Sequence, residues 1–524
     1  MAKPQTAPDG RPSGPTSYRN GPTVKLRQVY FIAGIGSVLV VVVYLVWAGL
    51  ATPGGFPLDD AWIHQVFARN LAQHGEFSYN PGQLVAGSTS PLWTIILMPG
   101  YIFGGESYRW WAYALGIVFL ALTSVEVYQL YQRLFGAGQE RAGLVAALFT
   151  LFEWRLIWAG ASGMETLLFT YLSLLLLRLY LGLEQEKSLR PFVWLGLIGG
   201  FLTLTRPEGV VLLGLVGLDI GRRGWLEKGG WRKLAGRWVA IIVACLALLV
   251  PYGIFNYVAS GSFLPNTFQA KVNFYSADNP IEGAINYLLA ALQTLFFQGP
   301  LLVATPGLIL FIWQYIRGKS RPNLLPLVWV VAVLALYAWR IARTYHNGRY
   351  LMPLIPMLML YGVYGGERLI KVLRQARFPV LARSLTWVAV VFFLYNFGLG
   401  AVIYRFNVKF INDEQVTVGK WLRDNTPEGS IIASHDIGAI GYFSGRKLID
   451  TAGLVSPEYV PIVRDQPAIL KHLQADGVSY FAMLPTWYSD LNDQFEKENR
   501  KVFQPQETYL EQFGEKNMAI FKLR

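Results

Sequence analysis

Two adjacent carboxylates, Asp59 and Asp60, stand just beyond a charge-free run from Val29 to Leu50. A carboxylate held beside a second one has its pKa pushed up, which suits it to accepting a proton from a hydroxyl within reach. Asp59 could instead cap a helix starting at residue 60, since Asp is a favoured cap, but that reading leaves Asp60 unexplained. Cations cluster elsewhere. Arg340, Arg343, His346 and Arg349 fall in one short segment, and Arg206 lies in the break Thr205-Arg206-Pro207-Glu208-Gly209. Lys271 follows Leu264-Pro265-Asn266-Thr267. Fixed cations pair strongly with phosphate oxygens and would stabilise a departing phosphate. Their other reading is the binding of lipid headgroups. Glu165 and Glu208 could orient a basic neighbour, bind sugar hydroxyls, or hold a divalent cation through oxygen ligands. No His/Cys ligand spacing, phosphate-binding glycine loop or Gly-x-Ser-x-Gly elbow is present. His435-Asp436-Ile437-Gly438 reads as a turn with glycine-rich packing, with Asp436 or Tyr442 touching a glycan as the alternative.

The elements that must position these groups are apolar. The chain has 524 residues, 53% hydrophobic and 15% charged, with mean hydropathy +0.34, which points to a polytopic membrane protein in place of a soluble enzyme. The apolar runs predict about eleven transmembrane helices, at 29–50, 110–131, 142–159, 165–182, 191–205, 209–221, 237–258, 300–316, 324–341, 350–366 and 385–403. The runs at 91–103 and 286–298 are shorter and read as re-entrant or interfacial helices. The net charge of +13 comes mostly from short loops between spans. Positive-inside topology explains it better than nucleic-acid binding, and places residues 1–28 in the cytoplasm as a basic arm, with the first span as a retained anchor. Asp59 and Asp60 then emerge outside, in a first outer loop spanning 51–109. Residues 60–73 have the spacing of an amphipathic helix lying along the membrane. Cys245 is the only cysteine, so disulfides and thiolate metal sites are excluded. From about residue 406 a polar tail to 524 alternates helix and strand patterns: helices at 414–425 and 469–476, strands at 430–434, 447–449 and 478–484. It reads as a C-terminal extracytoplasmic α/β domain following a membrane domain over 29–405.

Several motifs occur in a shared order: Leu58-Asp59-Asp60-Ala61, Arg69-Asn70, Asn80-Pro81-Gly82, Gly163-Met164-Glu165-Thr166, Thr205-Arg206-Pro207-Glu208-Gly209, Leu264-Pro265-Asn266-Thr267 and Arg349-Tyr350-Leu351-Met352-Pro353. This order resembles the GT-C glycosyltransferases, most closely the actinobacterial branch of terminal arabinofuranosyltransferases, over most of the chain. The resemblance implies a polyprenyl-phosphate-linked sugar as donor, inverting transfer, and an acid of the first outer loop as catalytic base. By position that acid is Asp59, with Asp60 orienting it. Relatives often carry Tyr where Trp62 stands, which bears on the transferred sugar if that position touches it. Arg206, Lys271, Arg343, His346 and Arg349 would then hold the donor phosphate, Trp62, Glu165, Glu208 and Asn266 would bind substrate, and the outer domain would seat a cell-envelope glycan acceptor. The implied place is the cell membrane. A GT-C enzyme modifying protein or lipid A, a polyprenyl-linked sugar transporter or flippase, and a glycan-binding scaffold remain as alternatives.

Overall fold

A computed structural model describes residues 24–136, 138–183, 186, 188–226, 230–263, 265–267, 279–340, 344, 346–506 and 516–524. Among these, four helices are long and apolar enough to cross a membrane. They are α1 (Leu26–Gly49), α4 (Ser107–Phe135), α10 (Trp231–Ser260) and α15 (Pro379–Ile411). At 1.5 Å per residue even the shortest reaches about 36 Å, longer than a ~30 Å hydrocarbon core. Their outward faces carry Phe31, Leu39, Val243, Val258, Trp387 and Val391 exposed, a surface that suits lipid.

The remaining apolar runs differ from the expected straight spans. Residues 142–159 form α5 (Glu140–Leu151) and α6 (Trp154–Gly160), bent by 60° at Phe152-Glu153. Pro280–Phe297, beginning with α11 (Pro280–Leu292), meets α12 (Leu301–Ile316) at 104°. Counting each bent pair as one span gives up to six by length and composition. Helices α7 (Thr166–Leu181), α8 (Arg190–Thr205) and α13 (Leu325–Arg340) are apolar but have 16 residues each, about 24 Å, so by length alone they fall short of the core. Helix α9 (Gly209–Leu226) follows α8 across the Arg206-Pro207-Glu208 break. The turn is tight: a Cβ on Gly209 would lie 2.8 Å from the Leu202 backbone. Helix α14 (Ile355–Gln375) precedes α15.

The segment between α1 and α4 contains α2 (Asp59–His74), ended by Gly75 in the left-handed conformation at φ 70°, and α3 (Pro91–Leu97). Helix α2 is covered more widely than an amphipathic stripe requires. Residues on several sides of it, among them Trp62, His64, Val66, Phe67 and Asn70, are buried, because a second layer covers it. That layer begins where α15 runs through a π-turn at Asn412–Val416 into α16 (Thr417–Asn425). Then follow β1 (Ile431–Ser434), α17 (Gly438–Ser444), β2 (Lys447–Asp450), α18 (Gln466–Ala475), β3 (Tyr480–Met483), α19 (Ser489–Lys497), β4 (Lys501–Phe503) and β5 (Ala519–Lys522).

The sheet order is β2-β1-β3-β5-β4. β1 pairs parallel with β2 and β3, with Ile432 opposite Leu448 and Tyr480, while β5 runs antiparallel to β3 and β4. Strand alternation sends neighbouring residues to opposite faces. Ala433, Phe481 and Met483 join Ile469, Leu473 and Phe495 on one side. Ile432, Leu448 and Ala482 face the other, where Ile63, Val66 and Phe67 of α2 complete the core. The outer layer thus borrows part of its hydrophobic core from the segment between α1 and α4.

Candidate functional site

Successive residues of a helix point about 100° apart, and that angle separates the two acids. Asp59 turns toward the outer layer. Its Oδ2 and Oδ1 accept the backbone N–H groups of Gly438 (2.6 Å) and Ala439 (2.7 Å) at the start of α17. Gly438 must be glycine for this approach, since a Cβ there would lie 2.0 Å from the Asp59 carbonyl oxygen. Asn80 extends the joint by donating to Leu448 O (2.9 Å) and accepting from Leu448 N (3.0 Å). Arg69 donates to Tyr442 O (2.9 Å).

Asp60 turns the other way, into a cavity of about 460 Å³. One turn along, on the same helix face, is His64, and both line the cavity. The loop before α7 supplies Glu165, the α8–α9 break Arg206 and Glu208, α13 Tyr337 and Arg340, and the segment before α14 Arg349 and Tyr350. Val210, Val211 and Leu336 form its apolar side.

Two guanidinium groups organise the charges. Arg206 donates to Glu208 (2.6 Å), Glu165 (3.2 Å) and the Tyr337 hydroxyl (2.9 Å), and its face lies over the Tyr350 ring at 4.7 Å. Each Arg206 nitrogen thus donates to a protein group, and the side chain lines the cavity held by two carboxylates and a hydroxyl. By the same bonds Glu165 and Glu208, expected to accommodate a divalent cation or sugar, already share a cation from the protein. Among the described residues no group of three or more His, Cys, Asp or Glu side chains is arranged to hold a metal. Arg349 differs. One terminal nitrogen donates to Asp60 and to the Tyr350 hydroxyl (3.0 Å). Its Nε and Nη1 are buried and without a hydrogen-bond partner among the described residues. The side chain is only 3% exposed, and two buried charged donors of this kind are able to pair with an anion's oxygens.

The other expected site residues lie elsewhere. Trp62 is 1% exposed and packs against Phe56, Tyr442 and Phe443 at 4.8–5.0 Å; it is a core residue between the two layers and does not line the cavity. Asn266 fixes its loop, donating from its backbone to Ala86 O (3.0 Å) and from its side chain to Ser260 (3.0 Å), while its neighbours Pro265 and Thr267 line the cavity. His346 is exposed on a 3-10 turn and is absent from the cavity lining. Lys271 and Arg343 lie outside the described residues. His64, Tyr337 and Tyr350 were not expected. The Asp60–His64 spacing of four on a predicted helix was the available signal for the first.

The arrangement of helices, outer layer and cavity has counterparts among solved structures. ArnT from Cupriavidus metallidurans bound to undecaprenyl phosphate matches with a TM-score of 0.62 and 19% identity, over 93% of this chain and 97% of that one. The fold is GT-C. The Archaeoglobus fulgidus oligosaccharyltransferase tethered with an acceptor peptide matches with a TM-score of 0.57 and 14% identity, over 87% of this chain and 68% of that one. The same organism's AglB, in complex with an inhibitory peptide and a dolichol-phosphate, gives 0.54 and 14%, over 88% and 69%. A family model described as a domain of unknown function (DUF8728) matches residues 406–521. No curated protein matches the chain in sequence. The cavity lies where the helices meet the outer layer, with Leu454 of that layer in its lining.

Burial also makes the outer layer pH-sensitive. Asp450 is fully buried, and desolvation pushes its carboxyl up to about 7 despite hydrogen bonds from Ala452 and Val455 N–H. Asp59 is raised too, by burial first and then by nearby Asp436. Raised carboxyls bind protons in the folded state after the unfolded state has lost them. Their stabilisation is complete below about pH 4 and is lost as pH rises through the folded values. Thermal unfolding of the outer layer in purified protein is therefore expected several degrees higher at pH 5 than at pH 8. Equal or reversed midpoints would refute this.

Proposed function

We propose that this chain is an integral membrane glycosyltransferase that moves a sugar, with inversion, from a polyprenyl-phosphate donor to an extracytoplasmic cell-envelope glycan. The observation that carries the reading is the pair of buried, unpartnered Arg349 donors beside Asp60. Breaking a sugar–phosphate bond loads charge onto the leaving phosphate. A guanidinium fork preorganised in a water-poor cavity stabilises that charge where it develops. The apolar side at Val210, Val211 and Leu336 suits the first prenyl unit. Arg340 at the same cavity adds positive charge, with Lys271 and Arg343 as further phosphate ligands. The ArnT and AglB structures carry undecaprenyl phosphate and dolichol-phosphate, respectively, which supports the donor class.

The place at the reacting centre expected of Asp59 passes to Asp60, the acid that reaches the cavity. Its negative charge faces the anomeric carbon, which becomes cationic as the phosphate leaves. Residues 406–524, on the outer side with the cavity, would present the glycan acceptor, and residues 1–28 the cytoplasmic side, in the cell membrane. Arabinofuranose is the sugar we favour, from the order of motifs shared with terminal arabinofuranosyltransferases.

The test is transfer of radiolabel from a panel of polyprenyl-phosphate sugars to mixed cell-envelope glycan by the purified protein and by Asp60→Asn. Label moved by the wild type alone supports the reading and identifies the donor. Movement of intact labelled lipid across vesicles without glycan labelling would replace it with transport.

A further inference from the structure

Inversion needs a group to take the proton of the acceptor hydroxyl, and both acids of the Asp59–Asp60 pair are already engaged. Asp59 holds two backbone N–H groups of α17, and Asp60 is paired with Arg349. His64 is placed differently. Its Nε2 lies 3.4 Å from a Glu165 oxygen, and the other Glu165 oxygen is held by Arg206. A carboxylate facing Nε2 at this distance favours the tautomer with its N–H on that side once the pair closes to hydrogen-bonding distance, which leaves the lone pair on Nδ1. Nδ1 is buried without a hydrogen-bond partner among the described residues, in a side chain 8% exposed that lines the same cavity as Asp60 and Arg349.

Resting on the glycosyl-transfer reading, we infer that His64 Nδ1 takes the acceptor's proton, with Glu165 as the residue that positions the ring. The acceptor oxygen forms its bond to the anomeric carbon as its proton moves to Nδ1. The bond from that carbon to the phosphate oxygen breaks, and its electron pair leaves with the lipid phosphate at Arg349. The imidazolium, stabilised by Glu165, returns its proton to water after product release. Asp60 balances Arg349 and the developing positive charge on the sugar.

The experiment compares wild type, His64→Ala and His64→Gln with the labelled donor that the wild type uses. A positioned base contributes roughly a hundredfold to ten-thousandfold, so both variants are expected to lose at least about a hundredfold in kcat while the donor KM stays within about threefold. His64→Gln is near in volume and folds with the cavity filled, but its amide cannot take a proton. Imidazole added to His64→Ala is expected to restore turnover, increasingly as pH rises and more of it is neutral. Turnover of His64→Gln within about threefold of wild type would overturn the assignment, as would loss in His64→Ala that imidazole leaves unchanged. A wild type that transfers no sugar defeats the glycosyl-transfer reading itself, whereas active His64 variants defeat only this inference.

Discussion

Arg349→Ala is expected to lower transfer by about a hundredfold to ten-thousandfold while leaving the protein folded. Removing a single preorganised donor from a charge-stabilising site costs about a hundredfold to a thousandfold in other enzymes. Arg349 offers two unpartnered donors together with a full charge. Its loss also leaves Asp60 without its counter-ion, so negative charge would face the departing phosphate and weaken donor binding further. The fold should tolerate the change because Asp60 is 29% exposed and can be hydrated. Arg349→Lys is the informative control. It returns a charge but as a compact ammonium that cannot keep Asp60, Tyr350 and a phosphate in one planar fork. Partial recovery, still at least about tenfold below wild type, is expected in kcat/KM for the donor. Steady-state transfer at varied donor, with detergent gel filtration to confirm folding, checks both. Wild-type kcat/KM in Arg349→Ala would remove the phosphate assignment.

The sequence exposes the ingredients of this site better than their arrangement. The Arg206-Pro207-Glu208 break stands out because charge interrupts an apolar run, and it does line the cavity. What no local pattern reveals is that Arg206 is consumed by Glu165, 41 positions away, and by Tyr337, 131 positions away. The acid pair is equally visible, but which acid faces substrate depends on a partner 379 positions along the chain. Helix α17 is hidden for a related reason. Gly438 and Gly441 weaken helix propensity and look like a turn, yet Gly438 is required so that Asp59 can approach its N–H groups. Trp62 was tied to the sugar only through the position it shares with the resembled family, while tertiary packing sets it among Phe56, Tyr442 and Phe443. The long apolar helices α1, α4, α10 and α15 were legible because length and hydropathy suffice. The 60° and 104° bends were not, although Gly299-Pro300 stands at the second.

Asp59→Ala is expected to separate the two layers and, through that, to reduce transfer strongly. Both carboxylate oxygens of Asp59 are used on Gly438 and Ala439 N–H. Alanine leaves two donors of α17 without an acceptor, in a joint where Gly438 and Ala439 are buried. Each stranded buried group costs about 1–3 kcal/mol, a large fraction of the marginal stability of any one layer. Asp59→Asn should be milder, because its amide oxygen can still accept one bond while its NH₂ meets the other N–H unfavourably. Hydrogen exchange is expected to rise at residues 438–444 and at 60–68, where α2 supplies Ile63, Val66 and Phe67 to the shared core. Transfer should fall with it, since the same helix carries Asp60 and His64 into the cavity. Asp60→Asn supplies the contrast: transfer lost, exchange at 438–444 unchanged. Were Asp59 the group that deprotonates the acceptor, Asp59→Asn would abolish turnover with the exchange pattern of the wild type. Coupled loss, graded from Asn to Ala in both exchange and rate, is the signature of a residue that holds α2 in place.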